Sequence, residues 1–219
     1  MTNYQEVREE LFAAVKKAMD EGLLRISEGN LSLRTPDGHV AITPSGIQYK
    51  QLKPEEIAIV DLDGGHIDGP CKASSETPMH TAIMRNLPEV GAICHTHSPF
   101  AMTFAAAGKD IELINLEAMG CGAPIPVAPW ATPGSAAGGE VTVTLFKQRP
   151  DLKAVLLRNH GVVAIGENAE DSFDKAFKAE VAARIYYQAL QIGEPIIISQ
   201  QQLQDAVNTY AAFTTKERT

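Results

Sequence analysis

Hydrophobic positions recur at helical spacing near both ends of the chain. In residues 4–20 apolar side chains return every three or four positions, and Gly22 follows as a C-terminal stop. A second segment of the same period follows Asn168, a favourable N-cap residue, and continues to Gly193. The pattern predicts an amphipathic opening helix and a long helix late in the chain.

Alternating apolar and polar positions predict strands between these helices. SEGNLSLRTPDGHVAITPSG alternates on both sides of a turn at 36–38, and IAIVDLDGGHI does so around 64–65, so both are predicted hairpins. Further strands are predicted in GAICHTH, IPVAPW and KAVLLRNHGVVAIG. Ser74 and Ser75 are predicted N-caps of a helix that runs to Asn86, and SPFAMTFAAAG is a predicted short helix. The whole indicates a mixed sheet with helices packed on it.

Composition narrows the class of protein. A chain of 219 residues with 44% hydrophobic content is expected to form one domain, residues 1–219, with an unstructured C-terminal tail from about residue 199. The net charge of −8 and the absence of a Lys/Arg cluster argue against nucleic-acid and membrane partners. No signal peptide pattern and no run of 18 apolar residues occurs, so a soluble cytoplasmic protein is expected.

Three histidines stand at the ends of predicted strands. His95 and His97 in CHTHS are two residues apart, so strand alternation projects both to the same face, where they can bind one cation. An isolated pair of this kind is equally compatible with two structural histidines. His160 follows the apolar run AVLL in RNHG, where a lone histidine is more often structural. His39 and His66 lie in polar hairpins and are expected to be exposed.

One carboxylate completes a possible ligand set. Glu76 in SSETPMH begins a predicted helix, where a negative charge can also simply favour the helix dipole. His80 lies one helical turn later and could share its face, although we interpret it as a supporting or core residue. Together with His95, His97 and His160, Glu76 gives the ligands expected for zinc or a similar divalent cation.

Small residues in three segments could bind an anion. Backbone amides in such turns, close to a helix N-terminus, provide the hydrogen-bond donors that a phosphate group needs. Each segment alone is also compatible with an ordinary turn. The candidate residues are Gly29 and Asn30 in SEGN, Ser45 and Gly46 in TPSG, and Ser74 and Ser75 in SSE.

The ordered series GN, TPSG, SSE, HTH and NHG resembles the class II aldolase and adducin head family. The similarity extends from the first helix to the long helix after NHG. The resemblance implies a three-layer α/β/α sandwich around a mixed, largely antiparallel sheet, assembled as a homotetramer with active sites at subunit interfaces. It also implies reversible cleavage of a ketose 1-phosphate, such as L-fuculose 1-phosphate, into dihydroxyacetone phosphate and an aldehyde through a metal-stabilised enediolate.

The resemblance also assigns residues. It implies one divalent ion per subunit, zinc first and manganese or cobalt otherwise, held by His95, His97, His160 and Glu76. The same Glu76 would act as the acid/base. The implied phosphate-binding residues are Gly29, Asn30, Ser45, Gly46, Ser74 and Ser75.

The chain departs from the family pattern at two places. The family's aldolases use a tyrosine as a second proton donor, but the corresponding stretch here places Asn115 or Glu117 at that position. A related dehydratase resembles this stretch and carries a glutamate acid/base, so Glu117 is a catalytic candidate, and a structural interface contact is the equal alternative. The family's closing tail would fall on Tyr210, Phe213 and Lys216.

Other functions remain open at this point. A dehydratase, an epimerase or a decarboxylase could use the same metal site, although the epimerase branch has aspartate where this chain has Glu76. Adducin-like proteins have the fold without catalysis, and a binding module would take up metal without turnover. The intact ligand set and phosphate turns favour an enzyme over an adducin-like protein, and proton exchange at the substrate carbon would distinguish an enzyme from a binding module.

Overall fold

The structure, a computed structural model, describes residues 4–216 of the chain, with side chains described as far as residue 209. A 3-10 turn at Pro54–Glu56 separates the second and third strands. The helices are α1 (Gln5–Asp20), α2 (Thr77–Asn86), α3 (Pro99–Ala107), α4 (Leu116–Met119), α5 (Ala136–Gln148), α6 (Ala169–Ile192) and α7 (Gln200–Lys216). The strands are β1 (Asn30–Arg34), β2 (Val40–Ile42), β3 (Ala58–Val60), β4 (His66–Asp68), β5 (Ala92–Thr96), β6 (Val127–Ala128), β7 (Ala154–Leu157) and β8 (Gly161–Gly166).

All eight strands form one sheet in the order β4-β3-β2-β1-β5-β8-β7-β6. Neighbouring strands are antiparallel except β6 and β7, which are parallel. Helices cover both faces, so the fold is the three-layer α/β/α sandwich that the family resemblance implied.

Strand alternation divides the core between the two faces of the sheet. Leu31 of β1 and Cys94 of β5 belong to the cluster that packs under α1, α3 and α6. Ile93 and Val163 belong to the cluster that packs under α2 and α5. Polar side chains that alternate with Leu31 and Cys94 therefore lie on the α2 face.

Most predicted elements are confirmed. Helix α1, both hairpins and the long helix α6 occur where the pattern placed them, and the Asn168 side chain accepts a hydrogen bond from the Asp171 N–H at 2.9 Å. Of IPVAPW only Val127–Ala128 pair as a strand.

Two predictions about helices are wrong. Glu76, not a serine, is the N-cap residue of α2, because Ser74 Oγ instead accepts a hydrogen bond from the Glu76 N–H at 3.2 Å. The tail is not unstructured, since Gln200–Lys216 form α7. The predicted tail residues Tyr210, Phe213 and Lys216 carry side chains outside those that the structure describes. None of the described helices is both long and apolar enough to span a membrane.

Candidate metal centre

Three histidines converge where β5 ends and β8 begins. His95 lies in β5, His97 follows the strand, and His160 is the last residue of the turn that joins β7 to β8. Their ring centroids are 4.7 to 5.1 Å apart. One nitrogen of each ring falls within 4.8 Å of the others, so the three can reach a common cation.

Hydrogen bonding leaves the correct nitrogen free for a metal. His95 Nδ1 lies 3.0 Å from the Val162 carbonyl oxygen, which can only accept, so His95 donates there and its Nε2 carries a lone pair. The Nε2 atoms of His95 and His97 are 3.2 Å apart. Two nitrogens bound to one tetrahedral zinc ion lie about 3.3 Å apart, so the spacing fits a shared cation.

The electrostatic environment keeps all three rings neutral. Burial lowers the pKa of His95 well below its usual value, and the adjacent His160 and His97 lower it further. Burial, followed by the neighbouring His97, lowers the pKa of His160 to about 4. The pKa of His97 is lowered by burial and partly restored by the Glu28 carboxylate. Neutral imidazole is the form that binds a metal, so this donor set fits a divalent cation at neutral pH.

Gly161 makes this convergence possible. A Cβ atom at Gly161 would overlap the Thr96 carbonyl oxygen across the β5–β8 pair. The same atom would lie 3.1 Å from His95 Cε1 and 3.1 Å from His97 Cδ2. The glycine after His160 is therefore required for close strand contact rather than for the turn.

We expect Gly161→Ala to lower the free energy of unfolding by about 2 kcal/mol or more, because the new methyl group displaces β8 and both rings. Metal affinity should fall with it. Chemical denaturation and metal titration measure the two effects. Gly193→Ala is the matched control, since nothing lies within 4 Å of a Cβ atom there. Equal stability of the two variants would contradict this account of Gly161.

Glu76, which the family resemblance implies as a fourth ligand, lies beside the histidines, but its carboxylate is not part of the three-histidine group whose ligand atoms lie within 4.8 Å of one another. Its carboxylate lines a small pocket together with His160 and accepts a hydrogen bond from the Gly134 N–H. Burial raises the pKa of Glu76, and the bond from Gly134 opposes this rise. A carboxylate of this kind holds a proton more readily than an exposed one, as a general acid/base requires.

The three predicted anion segments lie side by side. The Thr43 N–H donates to the Leu31 carbonyl at 3.0 Å, and the Ser74 N–H donates to the Thr43 carbonyl at 3.1 Å. The Ser45 N–H donates to the Lys72 carbonyl at 2.9 Å. Backbone hydrogen bonds thus hold SEGN, TPSG and SSE in one row at the sheet end, with Asn30 directly opposite His95.

The six predicted phosphate residues differ in their accessibility. Ser45, Gly46 and Ser75 are exposed, whereas Asn30 and Ser74 are buried. Gly29 has a separate structural reason to be glycine. Its φ is +73°, and a Cβ atom would lie 2.6 Å from the His95 carbonyl oxygen. Close packing against β5 therefore requires glycine at position 29, whether or not this residue also binds a ligand.

His80 does not join the metal cluster. It is fully buried, with Nδ1 2.6 Å from Ser32 Oγ and Nε2 2.6 Å from Asn30 Oδ1. Burial lowers the pKa of His80 to about 3, so the ring is neutral. The interpretation of His80 as a supporting residue therefore agrees with its surroundings. His66 is exposed as expected, but His39 is half-buried and lies 3.0 Å from the Tyr4 hydroxyl oxygen.

Glu117 lies apart from the histidines within the described chain. It is half-buried in α4, which packs on α6, and it does not line the pocket that contains Glu76. Asn115 is the N-cap of α4, and its side-chain oxygen accepts a hydrogen bond from the Ala118 N–H. Asn115, the other residue aligned with the family's tyrosine, therefore has a structural role as this helix cap.

Sequence reasoning did not single out several neighbours of the site. A loop at residues 129–135 covers Glu76, and Arg158 lines the same pocket. The signal for the loop was its cluster of proline, glycine and serine immediately before a helix. Ser32 and Glu28 gave no signal, since each acts on a histidine that is distant in the sequence.

Comparison with known proteins gives consistent results. The sequence profile of the Class II Aldolase and Adducin N-terminal domain matches residues 9–187. The 5-deoxy-D-ribulose 1-phosphate aldolase of Bacillus thuringiensis serovar kurstaki is 35% identical, with 95% of this chain and 97% of that protein covered. The 5-methylthioribulose-1-phosphate/5-deoxyribulose-1-phosphate aldolase of Rhodospirillum rubrum is 34% identical, with 94% and 92% covered. A solved L-fuculose 1-phosphate aldolase superposes with a TM-score of 0.88 at 27% identity, covering 96% of this chain and 98% of its own.

Proposed function

The chain belongs to the Class II Aldolase and Adducin N-terminal domain family as a sugar-phosphate aldolase, and we propose that it reversibly cleaves a short ketose 1-phosphate into dihydroxyacetone phosphate and an aldehyde. The observation that carries the proposal is the cluster of three neutral histidines beside the buried carboxylate of Glu76. An adducin-like binding protein has no need for such a cluster.

His95, His97 and His160 are proposed to hold one divalent cation, zinc in the first instance. When bound, such a cation supplies Lewis-acid stabilisation for negative charge that develops on the substrate oxygens. The bond from His95 to the Val162 carbonyl fixes the orientation of that ring, so the site is organised before a ligand arrives.

Glu76 is proposed to move the proton at the carbon where the bond breaks. In the cleavage direction, the bond between C3 and C4 of the ketose breaks and its electron pair remains on C3. The carboxyl group of Glu76 then delivers a proton to C3, which gives dihydroxyacetone phosphate. Burial prepares Glu76 for this task by raising its pKa. The hydrogen bond from the Gly134 N–H holds the Glu76 carboxylate in the pocket that it shares with His160.

The hydroxyl proton on C4 needs a second acceptor as the aldehyde forms. We propose Glu117 for this role. Since Glu117 does not line the Glu76 pocket of its own chain, it would be supplied by a neighbouring copy in a homotetramer. The phosphate group is proposed to bind along the row of Asn30, Ser45 and Ser74. Gly29, Gly46 and Ser75 flank that row in the same three segments.

We propose 5-deoxyribulose 1-phosphate as the substrate type and keep L-fuculose 1-phosphate as the alternative. The proposal is supported by two relatives, 35% and 34% identical, whose names give 5-deoxyribulose 1-phosphate as a substrate, against 31% identity to an L-fuculose phosphate aldolase. The small pocket beside Glu76 has a mixed lining, with apolar Met79 and Leu157 and polar Thr132 and Arg158.

Two measurements test the proposal. Zinc-loaded protein with dihydroxyacetone phosphate in deuterated water should exchange hydrogen at the hydroxymethyl carbon, and a chelator should abolish the exchange. With acetaldehyde as acceptor, kcat/KM should exceed that for lactaldehyde by about 10-fold, which is the discrimination expected from one misplaced polar group. Release of water or carbon dioxide from a pentulose phosphate, without carbon–carbon cleavage to an aldehyde, would indicate a dehydratase or decarboxylase instead.

A further inference from the structure

A buried chain of three polar side chains crosses from α2 to the start of β1. His80 of α2 lies between Ser32 and Asn30, which are two residues apart in β1 and face the same side of the sheet. Both contacts measure 2.6 Å, and His80 and Ser32 have no exposed surface. Asn30 is 6% exposed and stands opposite His95 in the β1–β5 register.

With the Asn30 side-chain oxygen facing His80, only one proton arrangement satisfies both contacts. Asn30 presents Oδ1 to His80, and an amide oxygen can only accept, so His80 Nε2 carries the hydrogen. His80 Nδ1 is then the acceptor and receives the Ser32 hydroxyl hydrogen. His80 is neutral, with both nitrogens used. The ring therefore holds the Asn30 oxygen on the α2 side.

This arrangement decides which end of the Asn30 amide is available to a ligand. With Oδ1 held by His80, the two hydrogens of Nδ2 point away from it. Within residues 4–209 no protein group accepts a hydrogen bond from Asn30 Nδ2. The nitrogen also keeps some exposed surface, so a ligand can reach it. A reversed amide would present its oxygen instead, which repels an anion.

We propose that His80, with Ser32 behind it, is a positioning residue that fixes the Asn30 amide as a hydrogen-bond donor to the substrate phosphate. The proposal rests on the function proposed above, in which Asn30 belongs to the phosphate site. His80 itself does not touch the substrate. Its contribution is to prevent rotation of the amide, so that the donor is in place without reorganisation when the phosphate arrives.

The tautomer of His80 is the first measurement. In protein labelled with nitrogen-15, the His80 ring should show a protonated Nε2 and an unprotonated Nδ1 between pH 6 and 8. The result needs no turnover and no ligand. A ring protonated on Nδ1 would mean that Asn30 Nδ2 faces His80, and this would overturn the proposal.

Phosphate affinity is the second measurement, with inorganic phosphate as the probe and calorimetry as the readout. His80→Gln should weaken binding roughly 10-fold, since one hydrogen bond to a charged group is lost. Ser32→Ala should act in the same direction by a smaller factor. Ser172→Ala is the matched control, because Ser172 is equally buried but bonds to the Ala169 carbonyl on the other side of the sheet. Metal content and unfolding temperature are recorded for every variant.

A double-variant test separates positioning from general damage. If His80 acts through Asn30, then His80→Gln should have no further effect on phosphate affinity in the Asn30→Ala background. Additive losses, or the same loss for an unphosphorylated ketose, would overturn the proposal. Absence of phosphate binding to the wild-type protein would do so as well. Failure of the aldolase reaction alone would remove the proposed function but leave the tautomer and phosphate results interpretable.

Discussion

His97→Ala is expected to lose the bound metal and to lower aldolase turnover by at least about 10³-fold. His97 contributes one of three neutral nitrogens that can reach a common cation, and it lies just beyond β5, so its removal leaves the strand intact. Lewis-acid stabilisation is worth several kcal/mol, and each 1.4 kcal/mol is about tenfold in rate. Metal content after dialysis and the initial rate of ketose phosphate cleavage measure the two losses.

His66→Ala is the matched control for this variant. His66 is an exposed residue of the edge strand β4 and takes no part in the cluster. It should keep one metal ion per chain and normal turnover. Full metal content and normal turnover in His97→Ala would show that this histidine is not a ligand.

Glu76→Gln is expected to keep the metal and the fold but to lower turnover by about 10² to 10⁴-fold, the range for loss of a general acid/base. The glutamine has the same shape and can still accept the hydrogen bond from the Gly134 N–H. It cannot carry a proton to carbon. Hydrogen exchange into dihydroxyacetone phosphate in deuterated water measures this step directly and should fall by the same factor.

Glu140→Gln provides the comparison for that substitution. Glu140 is an exposed glutamate of α5 and lies outside the pocket that contains Glu76. The exchange rate of this variant should match that of the wild-type protein. If Glu76→Gln exchanges hydrogen at the wild-type rate, another group moves the proton.

Much of the fold follows from local patterns, and the exceptions have tertiary causes. Helix α5 carries adjacent glycines, Gly138 and Gly139, which are poor helix formers, so its sequence gave no helical prediction. The structure explains them, because a Cβ atom at Gly139 would lie 2.6 Å from Ala82 Cβ. Close packing of α5 on α2 requires the glycine. A contact of this kind cannot be inferred from either helix alone.

The candidate site was predictable to a similar degree. The spacing of His95 and His97 indicates a shared face, and their convergence with His160 follows from the antiparallel β5–β8 pair. The relation of Glu76 to the cluster depends on the loop around Gly134, which is distant in the sequence. The partners of His80 were also beyond reach, since a helix residue and a strand residue meet only after the layers pack.

The candidate ligands come from two distant parts of the chain although they are adjacent in space. His95 and His97 lie in and just beyond β5 at the centre of the sheet, and His160 lies in the turn of the β7–β8 hairpin. A cation that joins them closes a long loop of polypeptide, and the entropy lost in closing such a loop grows only slowly with its length. The metal would therefore act as a reversible cross-link between two parts of the sheet. Because it would bind the folded chain in preference to the unfolded one, it would couple the free energy of unfolding to the supply of metal in the cell.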